Sequence, residues 1–114
     1  MKVYVVCQND EETAVYTPEV FADEGEALDF LREQFLGKLD REELFDIGKN
    51  FGIVSGNAEF SEDAVNKAFE DINNLLRTHS VQNSYYTFNR YGAYIEYPFD
   101  DANFWHIEMF EREI

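Results

Sequence analysis

The spacing of apolar residues changes once along this chain, and that change restricts the fold more than any other feature. From Ser61 to Arg77 the pattern is helical. Ala64, Val65, Ala68, Phe69, Ile72, Leu75 and Leu76 fall within about 140° of arc, and Asn66, Lys67, Glu70, Asp71, Asn73, Asn74 and Arg77 fill the rest. From Ser84 the period is two. Tyr85 to Phe88, a turn at Asn89-Arg90-Tyr91-Gly92 and Ala93 to Tyr97 read as a hairpin. Pro98 to Asn103 reads as a turn, and Phe104 to Phe110 as a last strand with Trp105, Ile107 and Met109 on one face. A short chain that holds both patterns has to pack helices on a sheet.

The first half supplies the remaining elements. Val3 to Cys7 is apolar on both faces, as in a strand covered on two sides. Thr13 to Phe21 is β-branched and aromatic but contains Pro18, which places it at a sheet edge or in an extended segment. Asp23 or Glu24 can begin a helix that runs to about Leu36, with Gly37 as its stop and Ala27, Leu28, Leu31 and Phe35 on one face. Asp40 reads as the cap of a second helix through Asn50, with Leu44, Phe45, Gly48 and Phe51 inward. Gly48 marks either close packing against a neighbour or a weak helix. Ser61 caps the third helix, and Phe60 is placed to staple its first turn. The expected fold is therefore a single α+β domain over residues 1–114, in the order β(β)αααβββ. Its sheet is antiparallel-dominated, built from the N-terminal strand and a C-terminal β-meander, with two to three helices on one face.

Charge bounds the partners. Nine Lys+Arg against 24 Asp+Glu leave a net charge of −15. Disorder would also require too little apolar surface to offset chain entropy, yet 45 % of the residues are hydrophobic and 17 % aromatic, so a core can form. Direct binding to nucleic acid or to an anionic membrane is opposed by that charge. Cys7 is the only cysteine, so there is no intrachain disulfide and no zinc site built from several cysteines. The first apolar run ends after a few residues, too short for a signal-peptide core or a membrane span, and the cytoplasm is the expected compartment.

The charge is uneven. Residues 1–46 carry a balance of −9, residues 47–95 of −1 and residues 96–114 of −5. Glu26, Asp29 and Glu33 sit three and four residues apart on the first helix, which places their carboxylates about 5–6 Å from one another. A row of that kind can imitate a phosphate backbone. Asp40, Glu42, Glu43 and Asp46 extend it, and the hairpin tyrosines Tyr91 and Tyr94 are candidate anchors for a protein partner. If the terminal strands are neighbours, the two acidic ends can merge into one negative surface. The plainer alternative is that these acids solvate an exposed helix face and favour its N-terminal turn.

Recognisable catalytic chemistry is sparse. His79 follows the last apolar turn of the third helix, where an imidazole suits the helix C-terminus. His106 and Glu108 share a strand face, with Asp100 and Asp101 nearby, so an acid–base or metal role centred on His106, Glu108 and Asp101 is one reading and a structural pair the other. The Asp100-Asp101 pair lacks the spacing of a calcium loop, no glycine-rich phosphate cradle follows the first strand, and neither G-x-S-x-G nor H-E-x-x-H occurs. Cys7 lies in a strand expected to be buried, with no histidine close in sequence, as suits an inert thiol. No cofactor, metal or catalytic residue is expected. Clustered tyrosines and phenylalanines could stack single-stranded bases only beside a basic groove, which this chain lacks.

In size, charge and element order the chain resembles the small acidic accessory proteins of phages and mobile elements. Among these, anti-restriction and anti-CRISPR inhibitors present carboxylates to the DNA-binding groove of their targets. The resemblance is one of composition and carries no residue across. The expectation is a non-enzymatic protein that binds a basic surface, in its sharper form a nucleic-acid mimic directed at a nuclease or another nucleic-acid-binding protein. The alternatives are an immunity or antitoxin-like protein that masks a basic partner, and a small-ligand or metal-dependent enzyme around His106.

Overall fold

Two long strands from opposite ends of the chain form the middle of the sheet. In the computed structural model, which describes residues 1–10, 17–83, 85–97 and 103–114, β1 (Lys2–Asp10) pairs antiparallel with β6 (Asn103–Glu113), from Lys2 opposite Glu113 to Asp10 opposite Trp105. β2 (Glu19–Phe21) closes the β1 side, with Val20 opposite Val5. β5 (Gly92–Tyr97), β4 (Tyr86–Asn89) and the two-residue β3 (Val81–Gln82) continue beyond β6. The six strands run in the order β2-β1-β6-β5-β4-β3, every neighbouring pair antiparallel. The strand after Pro18 is indeed the edge strand; Thr13 to Tyr16 and residues 98–102 of the expected turn lie outside the described residues, and Asn103 already belongs to β6.

The three helices lie between β2 and β3 in sequence and cover one face of this sheet. α1 (Glu24–Lys38) is capped by Asp23, whose carboxylate accepts from the Gly25 N–H. It passes through Gly37, contrary to the expected stop. What ends it is Leu39, extended and buried in the core, followed at once by the cap of the next helix. α2 (Arg41–Asn50) begins with a reciprocal capping box: Asp40 accepts from the Glu43 N–H and Glu43 accepts from the Asp40 N–H. α3 (Glu62–Leu75) is capped by Ser61, as read from sequence. Phe60 meets Phe45 of α2 edge-on at 5.5 Å and so ties two helices together.

The core is one cluster between the helices and the inner sheet face. Val6, Trp105, Ile107, Met109, Ala93, Ile95, Tyr86, Phe88 and Val81 come from five strands and follow the registers across the sheet. Ala27, Leu31, Phe35 and Leu36 of α1, Leu44, Phe45 and Ile47 of α2, and Val65, Ala68 and Ile72 of α3 meet them. Phe51 is exposed and Ile47 takes the inward place expected for it, because Phe51 lies just past the end of α2 and turns its ring edge-on to His79. Gly48 marks close packing: a Cβ there would lie 2.8 Å from Val54 Cγ2. At Gly92 a Cβ would lie 2.7 Å from the Ile107 carbonyl oxygen, which explains the glycine at the start of β5.

Among the described residues no helix packs on the opposite sheet face. Val3, Val5 and Cys7 of β1, Val20 of β2, Phe104 and Phe110 of β6 and Tyr94 of β5 alternate with the buried stripe, and all are half-buried or exposed. Val3 to Cys7 was expected to be covered on two sides. Among the described residues only the Val6 side is, because all three helices pack on the same face.

Candidate functional site

The predicted acidic residues divide by the work they do inside the fold. Glu26, Asp29 and Glu33 all face solvent on α1, but Asp29 is tied down. Its Oδ1 accepts from Arg32 Nη2 at 2.7 Å and lies 3.7 Å from Arg77 Nη1. Arg32 is the one charged side chain in the buried core among the described residues, and its Nε donates to Asn73 Oδ1 of α3 at 2.7 Å. That network locks α1 to α3 and withdraws Asp29 from any row of free carboxylates. Asp40 and Glu43 serve the capping box. Partial burial pushes the Glu43 carboxyl above the usual range, and the charges of Asp40 and Asp46 add to the shift, although its bond from the Asp40 N–H opposes it.

Four of the seven acids remain without an ion pair or hydrogen bond among the described residues: Glu26 and Glu33 on α1, and Glu42 and Asp46 on α2, all exposed. Glu62, Asp63, Glu70 and Asp71 of α3 are exposed as well. From Glu24 to Leu76 there are 13 carboxylates and five basic residues, a balance of −8. The field of Asp46 and Glu43 reaches the sheet. Burial pushes the Tyr86 hydroxyl up to about 12, and these two carboxylates contribute to the rise.

The two tyrosines do not belong to one surface. Tyr91 stands 62 % exposed in the β4–β5 turn, with the Arg90 guanidinium over its ring at 5.3 Å. Arg90 also pairs with Glu24, which sets this turn beside the start of α1. Tyr94 is on the uncovered sheet face, stacked with Phe104 at 6.2 Å, and points away from the helices. Among the described residues the acidic ends meet in part: Glu24 and Glu111 both lie within electrostatic reach of Tyr4. Glu96 and Glu108 are on the uncovered face, whereas Glu111 pairs with Lys2 and Glu113 with the amino terminus. Asp100 and Asp101 lie outside the described residues.

Sequence reasoning did not find the arginines. Arg32, Arg77 and Arg90 border a cleft of about 190 Å³ together with Leu28, Leu76 and Phe88. Three of the nine basic residues gather here, where Asp29 and Glu24 pair with them. The one sequence signal was the position of Arg32 at the margin of the apolar arc of α1, beside Leu31 and one turn after Leu28.

His106 sits on the uncovered sheet face with Glu108, on the shared face that the strand period implies. Nε2 is 3.9 Å from Glu108 Oε1, beyond hydrogen-bonding distance, and Nδ1 is buried without a partner among the described residues. Phe104 packs edge-on to the ring at 6.4 Å. His79 fulfils the capping expectation: its Nδ1 lies 3.3 Å from the Leu75 carbonyl and its N–H donates to the same oxygen at 3.0 Å. Among the described residues no three His, Cys, Asp or Glu side chains are grouped to hold a metal ion, and no helix is long and apolar enough to cross a membrane. Comparison with protein-family models, curated proteins and solved structures gives no match.

Proposed function

We propose that this chain is a protein-binding module whose acidic helical layer engages a basic surface on a protein partner. The supporting observation is the asymmetry of charge. The span that forms the helical layer carries a balance of −8, while the described side chains of the opposite sheet face hold two carboxylates, Glu96 and Glu108, against one guanidinium, Arg112. An uneven charge of this kind gives the molecule a field with a direction, which orients and accelerates encounter with an oppositely charged surface. Glu26, Glu33, Glu42 and Asp46 are the residues proposed to pair with lysine or arginine, since none of them has an ion-pair or hydrogen-bond partner among the described residues. Tyr91, exposed beside the start of α1, supplies a ring at the edge of that layer.

In its sharper form the module is a nucleic-acid mimic that occupies the groove of a nuclease or another DNA- or RNA-binding protein. The test has two steps. A pull-down at low salt identifies the captured protein, and the purified pair is then titrated with and without DNA or RNA. The fourfold variant Glu26→Lys, Glu33→Lys, Glu42→Lys, Asp46→Lys is expected to slow association at least tenfold and to remove most of the salt dependence. Displacement by DNA or RNA supports mimicry, and binding that nucleic acid fails to displace assigns a general mask of a basic protein instead. Unchanged association in the fourfold variant would sink the assignment of these residues.

A further inference from the structure

The uncovered sheet face points to a second binding surface, and we infer that its occupant is a second copy of this chain. Antiparallel sheets with one open face ordinarily place polar residues there. This one places Val3, Val5, Cys7, Val20, Phe104 and Phe110 across three adjacent strands, with Tyr94 on the fourth, among the polar Asn9, His106, Glu108, Arg112 and Glu96. The apolar pattern on both faces of β1 is what a strand buried twice requires, and the helices bury it once. Six strands about 4.8 Å apart, the longest about 30 Å, present roughly 600 Å² of flat face before side-chain relief is added. That is the scale of the ~800 Å² per partner found in stable interfaces.

Charge selects the occupant. Two molecules at −15 repel each other, and contact between their helical layers would set one balance of −8 against another. Packing sheet on sheet, about 10 Å apart, leaves each acidic layer on the outside. Those layers are then separated by roughly 30 Å, several Debye lengths at physiological salt. The sheet face is also complementary to itself. Arg112 lies near one end of β6, with its guanidinium over the Phe110 ring, while Glu96 sits opposite Phe104 at the other end. A two-fold axis lying in the interface and across the strands reverses one sheet on the other. It brings Arg112 of each copy over the Glu96 end of its mate, with Phe110, Glu108 and His106 of β6 between them and Val3, Val5 and Cys7 of β1 alongside. A strongly basic partner, by contrast, is steered to the helical layer and finds little charge on this face.

The test is sedimentation of the full chain over a wide concentration range at about 0.05 M and about 0.5 M salt. The wild type is expected to approach twice its 13.4 kDa mass, with a larger dimer fraction at high salt. The opposite salt response is expected for a basic partner at the helical layer. Val5→Lys with Phe110→Glu should remain at the monomer mass throughout, whereas Glu33→Lys with Glu42→Lys should leave the dimer intact. The unmodified protein gives a second readout, because Cys7 lies within the face: its alkylation by iodoacetamide should slow several-fold as the protein is concentrated into the dimer. A wild type that stays monomeric at every concentration, a dimer that survives the β1–β6 double variant, or a Cys7 rate independent of concentration overturns the proposal.

Discussion

The two faces of this one sheet carry different chemistry on alternating residues of the same strands. On β6, Trp105, Ile107 and Met109 are buried under the helices, while Phe104, His106 and Phe110 look out on the other side, half-buried. On β1, Val6 is buried and Val5 and Cys7 are not. The covered face holds the molecule together, and above it the helices turn their acids outward. The open face mixes Val3, Val5, Phe104 and Phe110 with Glu96, His106, Glu108 and Arg112, and none of these belongs to the core. With recognition on the proposed surfaces, stability and binding are separable at the resolution of neighbouring residues.

The sharpest way to break that comparison is to truncate neighbours on β6. Trp105 is 1 % exposed and its indole N–H donates to Gln8 Oε1 at 3.1 Å. Trp105→Ala should cost about 3–5 kcal/mol, measured by urea unfolding. Phe104→Ala, one residue away on the open face, should cost under about 1.5 kcal/mol, because less area leaves contact on truncation. Equal losses would mean that the outer face also holds the monomer together.

Backbone crowding provides a second comparison, between sheet and helix. Gly92→Ala drives a Cβ against the backbone oxygen of Ile107 in β6 and should lose about 1–3 kcal/mol. Gly48→Ala meets the Val54 side chain, and a gain of up to about 1 kcal/mol in helix propensity offsets part of the strain. The loss at position 48 should therefore be the smaller, and a reversed order would indicate that the sheet yields more readily than the helix pair.

The influence of the acidic layer on the core can be read by pH. Tyr86 has its hydroxyl pushed up to about 12 from 10, so the folded state holds that proton more tightly than the unfolded state. The resulting stability is complete below pH 10 and is lost as pH rises through about 12. Chemical denaturation from pH 9 upward should show a fall between about pH 10 and 12 that is reduced in Tyr86→Phe. An identical fall in that variant would assign alkaline sensitivity to other groups. The smallest effect is expected on the outer surface of α1. Glu33→Gln relieves repulsion with like charges a turn away and should raise stability by a few tenths of a kcal/mol in thermal unfolding.

Local signals were legible in the sequence. Asp40 and Ser61 were readable as caps because a cap bonds to a backbone N–H three residues on, and the Trp105, Ile107 and Met109 stripe because strand alternation is a period of two. What depended on distant partners was not. The Asp29–Arg32 pair is local, but the burial of Arg32 needs Asn73 of α3, and the second partner of Asp29 is Arg77 just past that helix, both more than 40 residues along the chain. The separation of Tyr94 from the acidic helices follows from which sheet face the helices chose. The double-sided apolar pattern of Val3 to Cys7 was visible, but not that the three helices would all cover the same side of it.

The division of labour between the two faces is tested most directly by the salt dependence of affinity for the captured basic partner. It should be measured for the wild type, for the fourfold α1–α2 charge reversal and for Val5→Lys with Phe110→Glu. The account predicts a steep fall in affinity with salt for the wild type, the same slope in the sheet-face variant and a nearly flat response in the charge-reversed one. A slope that survives charge reversal of the helices, or one lost on substitution of the sheet face, would contradict it.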